Sequence, residues 1–184
     1  MSEALGRVYT FDGDGFTFIS KEVLAGGTFV CYTEDEKRIL CRVQECTPYA
    51  QMPPELLSDA AVSPYEVCEL LGIEHDDYSL VLVRARVVGT FEPELGEFVN
   101  PMRMPRQGTP IEMADASTLR QVSKVDGGEG SAFVGYVLGT DVPVYLSVQD
   151  IASQHLAVLA STGSGKSYTV GVLIEEMMMQ KNCG

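Results

Sequence analysis

The chain has 184 residues and a hydrophobic fraction of 45%, enough for one or two small domains with a buried core. Its formal net charge of −13 argues against a surface that grips the DNA backbone unaided, because an acidic face repels phosphate. No run of eighteen apolar residues is present to span a membrane, and residues 1–15 lack the basic start and apolar stretch of a signal peptide, so a cytoplasmic protein is expected.

The first hundred residues read as strands separated by turns. Strands are expected at residues 7–11 and 16–19, flanking the turn Asp12-Gly13-Asp14-Gly15. A hairpin follows over residues 28–45, with its polar tip at 34–38. Folding about Glu36 pairs Phe29 with Val43, Cys31 with Cys41 and Thr33 with Ile39, and puts the apolar members on one face. The five cysteines, at 31, 41, 46, 68 and 183, include no C-x-x-C pair, and only two histidines, His75 and His155, accompany them. A zinc site is therefore not expected, and Cys31 and Cys41 read as small buried apolar residues with reduced thiols.

Residues 53–72 break the strand pattern. Ser63 as cap, Pro64 at the first helical position and Glu66 completing a capping box start a short helix, and Gly72 ends it. Glu74-His75-Asp76-Asp77 reads as a solvated acidic turn. Residues 79–91 form the clearest strand, with Val81, Val83, Ala85 and Val87 on one face and Arg84 and Arg86 on the other. Exposed arginines at that spacing suit an edge strand guarded by charge. A shorter strand pair is expected around Pro101 and Pro105, then a short helix over 115–124. Two strands, 132–138 and 142–148, are joined by Gly139-Thr140-Asp141. Many short strands with frequent turns suggest a closed barrel, which leaves no sheet edge.

The last thirty residues differ in character. His155-Leu156-Ala157-Val158-Leu159-Ala160 suits a strand buried on both faces of a parallel sheet. Ser161-Thr162-Gly163-Ser164-Gly165-Lys166-Ser167 follows, then a helix over 168–181 with Val170, Leu173, Ile174, Met177 and Met178 as its apolar stripe. Strand, glycine-rich loop and helix are the context of a Walker A phosphate loop. A triphosphate concentrates negative charge, which backbone N–H groups and the positive end of a helix can meet. Gly163 and Gly165 let the backbone approach without a Cβ, Lys166 places a cation on the β- and γ-phosphates, and Ser167 offers a hydroxyl to Mg²⁺. The motif usually opens on glycine, and Ala160 stands there instead.

From about Ala132 onward, in VGYVLGTDVPVYLSVQDIASQHLAVLASTGSGKSYTVGVLIEEM, the sequence resembles the HerA family of DNA translocases. The resemblance implies a mainly β fold. A small HAS-type β-barrel with helical insertions would occupy residues 1–150, with Gln107-Gly108-Thr109-Pro110-Ile111 as its looser marker. Residues 151–184 would be the first strand–P-loop–helix unit of a truncated RecA-like α/β ATPase domain. It also implies ATP and Mg²⁺ as cofactors. Thr162, Gly163, Ser164, Gly165, Lys166, Ser167 and Tyr168 would bind the nucleotide, Lys166 would act in catalysis and Ser167 would serve the metal. Family proteins are hexameric rings that pump duplex DNA through the ATPase core and work with the nuclease NurA on DNA ends, with the barrel as a docking and subunit face.

Two readings follow. In the first, the chain is the N-terminal portion of an ATP-dependent translocase or helicase, because one strand and one helix after the loop cannot bury their apolar faces or supply the second acidic residue that a working site needs. In the second, it is a non-catalytic barrel for oligomerisation or docking, with an incomplete ATP site.

Overall fold

The computed structural model describes residues 4–13, 15–49, 80–101, 103–122 and 125–180, with 63, 66, 69 and 72 singly. They form two compact units, Met1–Ala114 and Asp115–Gly184. The sequence division after residue 150 is a different cut, since the hairpin over residues 131–147 precedes it but packs in the second unit.

The first unit is built from β1 (Ala4–Asp12), β2 (Gly15–Ser20), β3 (Phe29–Glu34), β4 (Lys37–Pro48), β5 (Val81–Glu92), β6 (Glu97–Val99) and β7 (Pro110–Met113). Neighbours run β2-β1-β7-β3-β4-β5, and β5 pairs again with β2, so six antiparallel strands close a barrel and β6 hangs on the far end of β5. Closure leaves these six strands no open edge. Inside lie Phe16, Phe18, Val30, Tyr32, Ile39, Cys41, Val43, Val83, Ala85 and Ile111, each 3% exposed or less. Phe16 anchors this core, its ring centroid 6.3 Å from that of Phe18 and 6.2 Å from that of Tyr32.

The expected strands around Asp12-Gly13-Asp14-Gly15 form as β1 and β2, with Gly13 at φ 51° in the turn; Asp14 lies outside the described residues. Alternation on β5 also holds, Val81, Val83 and Ala85 facing the core. Three expectations are corrected. The β3–β4 hairpin pairs Val30 with Cys41, Cys31 with Leu40 and Tyr32 with Ile39, one residue out of the expected register. Its loop has only two residues, Asp35 and Glu36, at φ 48° and 65°, the type I′ geometry that matches the twist of paired strands. Next, β5 is no edge strand: it lies between β2 and β4, so Arg84 and Arg86 stand on a closed wall. Finally, the strands flanking Pro101 and Pro105 do not pair with each other; β6 pairs with β5, and β7 joins β1 to β3.

The Gln107–Ile111 stretch sits at that last seam. The Gln107 side-chain amide donates to the Tyr9 carbonyl (3.1 Å), Gly108 N donates to Val8 O (2.8 Å), and Ile111 is fully buried. At the start of the expected 63–72 helix, Ser63 N donates to the Glu66 carboxylate (3.2 Å), and Gly72 takes φ 65°. The rest of that helix, the acidic quartet 74–77, Cys68 and Cys183 lie outside the described residues.

Cys31 and Cys41 are buried free thiols, and burial pushes the Cys41 thiol well above the ordinary range, with Cys31 adding to the effect. A thiol that stays protonated and buried is a poor nucleophile. Alkylation of the native chain at mildly alkaline pH, followed by peptide mapping, is expected to modify half-buried Cys46 at least about tenfold faster than Cys41. Equal rates would contradict the closed core.

In the second unit, α1 (Ala116–Val122) is capped by Asp115, whose carboxylate accepts from Thr118 N at 2.7 Å. Next, β8 (Ser131–Tyr136) and β9 (Pro143–Ser147) form the expected hairpin, α2 (Val148–Ser153) starts on the cap Ser147, and α3 (Lys166–Met179) is the last described element. No helix among the described residues is long and apolar enough to cross a membrane.

Candidate phosphate-binding loop

The glycine-rich loop runs into α3 through two left-handed residues, Gly163 at φ 82° and Gly165 at φ 85°. Side chains rarely adopt those angles, and nothing lies within 4 Å of where a Cβ would project at either position. The constraint is therefore backbone conformation and open space, not packing. Gly165 is the N-cap of the 14-residue α3 and makes no side-chain cap hydrogen bond, and the first turn holds no acidic residue. The opening N–H groups of this helix thus face outward without a capping side chain or a competing carboxylate, an arrangement that favours an anion.

Every sequence-expected site residue lies on this loop or the first turn of α3. Thr162, Gly163, Ser164 and Gly165 form the turn, and Lys166, Ser167 and Tyr168 begin the helix, all of them exposed. Ser164 closes the turn on Ser161, its N–H and its hydroxyl both donating to the Ser161 carbonyl, at 3.3 and 2.7 Å. The Lys166 ammonium folds back over the loop and donates to the Ala160 carbonyl at 2.9 Å. It therefore sits directly over the loop, held by one exposed bond that a phosphate oxygen can replace. Replacing Gly with Ala160 leaves that carbonyl acceptor in place.

Chemically, this arrangement fits a nucleoside triphosphate with Mg²⁺. Loop N–H groups and the Lys166 ammonium would be the donors, and the Ser167 hydroxyl would be the oxygen ligand available to a hard cation. Mg²⁺ bound there would neutralise charge on the phosphates.

The strand expected before the loop does not form. Residues 154–160 pair with no strand among the described residues, and Leu159 is 91% exposed. A parallel strand acquires its hydrogen bonds only from neighbours, and none of the described strands pairs with it. The expectation that Leu173 and Met177 lack a partner layer is also corrected. Leu173 is buried against Ala132 and Val148, with Met177, Val134, Leu146 and Ile151 around it. Ile174 and Met178, on the other flank of the stripe, stay exposed.

Two polar residues that the sequence reading left out fasten α3 to the hairpin. The Glu176 carboxylate accepts from Phe133 N (3.2 Å), while the Gln180 amide accepts from Gly130 N (3.3 Å) and donates to Ser131 O (3.0 Å). They satisfy backbone groups at the free side of β8. Their spacing, four residues apart beside Leu173 and Met177, is the signal that one helix face carries all four.

Residues 132–184 match the family model described as the central domain of helicase HerA. A probable helicase of Methanocaldococcus jannaschii is 32% identical over 176 residues, covering 89% of this chain and 31% of the relative. The DNA double-strand break repair helicase HerA of Sulfurisphaera tokodaii is 40% identical over 78 residues, 42% of this chain and 15% of the relative. That of Sulfolobus acidocaldarius is 36% identical over 83 residues, 45% of this chain and 16% of the relative. The chain thus spans about a third or less of the length of these relatives. On these matches, over the part of its relatives that it spans, the chain is similar to the HerA family of helicases.

Proposed function

We propose that this chain is the N-terminal portion of a HerA-like, hexameric, ATP-dependent DNA translocase or helicase that works in the cytoplasm with a NurA-like nuclease on DNA ends. The observation that carries the reading is the uncapped N-terminus of α3, entered through left-handed Gly163 and Gly165 with Lys166 over the loop. Thr162, Gly163, Ser164, Gly165, Lys166, Ser167 and Tyr168 surround the phosphates of ATP, and Ser167 serves Mg²⁺. Lys166 stabilises the charge that develops on the transferred phosphoryl group, where most of the catalysis of this reaction arises. The residues that orient water and complete the metal site belong, in this reading, to the length of the relatives that the chain does not span. The closed barrel of the first unit is the HAS-type domain, available for subunit and partner contacts. The family match begins at residue 132, inside the second unit, which supports grouping the β8–β9 hairpin with the phosphate loop.

One observation favours the alternative, a barrel module with an incomplete ATP site: residues 154–160 have no strand partner among the described residues, and the loop is exposed. ATP turnover separates the two. The complete protein is expected to hydrolyse ATP with strong stimulation by duplex DNA, whereas the 184-residue chain alone stays below about one turnover per second. Faster turnover by the chain alone, abolished by Lys166→Ala, would overturn the division of labour; a complete protein without DNA-stimulated turnover would leave the barrel module.

A further inference from the structure

The glycine-rich loop is exposed, yet the helix behind it is gripped at one place. Residues 161–169 are all exposed, so the loop and the first turn of α3 take little support from packing. Support comes further along the helix. Leu173, Glu176, Met177 and Gln180 recur at the spacing of one helix face, and that face lies on the β8–β9 hairpin. One edge of β8 pairs with β9, and no described strand takes the other. Along that other edge and the glycine before it, the Glu176 carboxylate accepts from Phe133 N (3.2 Å), and the Gln180 side-chain amide accepts from Gly130 N (3.3 Å) and donates to Ser131 O (3.0 Å). Two helix side chains thus fill places that a neighbouring strand would fill. Apolar contact has no direction and lets a helix slide or turn, whereas bonds to three fixed backbone atoms do not. Ser131 is 6% exposed, so leaving its carbonyl unpaired is costly.

We propose that Glu176 and Gln180 are positioning residues for the phosphate loop: by fixing the axis of α3 on β8, they aim its N-terminal N–H groups and Lys166 at the reacting phosphate. The inference rests on reading residues 160–167 as that loop. Gly165 and Leu173 are eight residues apart on α3, which at 1.5 Å per residue is roughly 12 Å. A tilt of about 5° at the clamp therefore moves the loop by about 1 Å, and a misplacement of about 1 Å can cost roughly a hundredfold in rate. Both residues lie beyond Leu173 and act on the nucleotide only through the helix. The effect falls on rate more than on binding. A loop with two glycines can still wrap the phosphates after such a shift, whereas stabilising the transition state needs donors held in place.

The test measures steady-state ATP turnover with duplex DNA in the complete protein. Glu176→Met with Gln180→Met keeps unbranched side chains of good helix propensity and removes all three bonds. It is expected to lower kcat at least about tenfold while KM for ATP moves less than about threefold. Each single methionine variant should lose at least about threefold in kcat, so the result does not depend on the double variant folding. Glu176→Gln, which keeps an acceptor oxygen for Phe133 N, should retain at least about half of the wild-type kcat. Val142→Ala removes a buried side chain of the same unit, outside the cluster that packs on α3. It should lower the unit's unfolding midpoint yet leave kcat within about twofold, which separates positioning from a general loss of stability. Unchanged kcat in the methionine variants, a KM rise that accounts for the whole loss, or an equal loss in Val142→Ala overturns the proposal. So does equal impairment by Glu176→Gln and Glu176→Met. A wild-type protein that turns over no ATP overturns the phosphate-loop reading as well, so the two failures are told apart.

Discussion

Lys166→Ala in the complete protein is expected to reduce DNA-stimulated ATP turnover by about a thousandfold or more, with the barrel's thermal unfolding unchanged. The size follows from the placement of the ammonium. It lies over the loop, 2.9 Å from the Ala160 carbonyl, and is exposed, so it contributes little to folding and is free to exchange that carbonyl for phosphate oxygens. Losing one preorganised group that stabilises developing charge costs roughly a hundred- to a thousandfold, and this residue also helps bind the ground state. Initial-rate assays with and without duplex DNA measure the loss. A variant that keeps a tenth or more of the wild-type rate would show that Lys166 is not at the reacting phosphate. Lys166→Arg keeps the charge but not the compact shape of the ammonium, and is expected to recover little.

The second large effect lies in the barrel. Phe16→Ala is expected to destabilise the first unit by about 3–5 kcal/mol, enough to lower its unfolding midpoint by roughly 15 °C or more. Phe16 is fully buried and its ring meets those of Phe18 and Tyr32, so truncation leaves a cavity that neighbours on a closed sheet cannot collapse to fill. Leu159→Ala is the matched control: at 91% exposure it is expected to change stability by less than about 0.5 kcal/mol. Calorimetry of both variants gives the comparison, and a mild Phe16→Ala would mean that the barrel core is not packed around this ring.

Local pattern carried some of this architecture and failed where remote pairing decides. The alternation of Val81, Val83 and Ala85 is legible because the wall of a barrel buries one face of β5 only. On β3 and β4 that signal vanishes: Val30, Cys31 and Tyr32 are all buried, as are Ile39, Leu40 and Cys41, so hydrophobicity fits either register. The two-residue turn at Asp35 and Glu36 then sets it; aspartate enters the left-handed region readily, but glutamate at positive φ is uncommon and gives no sequence signal. Arg84 and Arg86 suggested an edge because β2, one of the two neighbours of β5, lies some sixty residues earlier in the chain. The turn before α3 was readable because Gly163 and Gly165 take left-handed angles that side chains rarely adopt. The run before it was misread because a parallel strand exists only once its neighbours do, and the packing of Leu173 was missed because its partners Ala132, on β8, and Val148, on α2, lie far upstream in the chain.

In the proposed function, residues 160–167 hold the phosphates of ATP. Amide hydrogen exchange in the complete protein, with and without Mg–ATP, tests it at the loop itself. The exposed peptides spanning 160–168 are expected to exchange rapidly without nucleotide and to slow by at least about tenfold with it, as loop N–H groups become donors to phosphate, while peptides from β5 stay unchanged. Lys166→Ala should remove most of that protection. Saturating nucleotide that leaves 160–168 as fast as before, in protein whose barrel strands remain protected, would contradict the assignment.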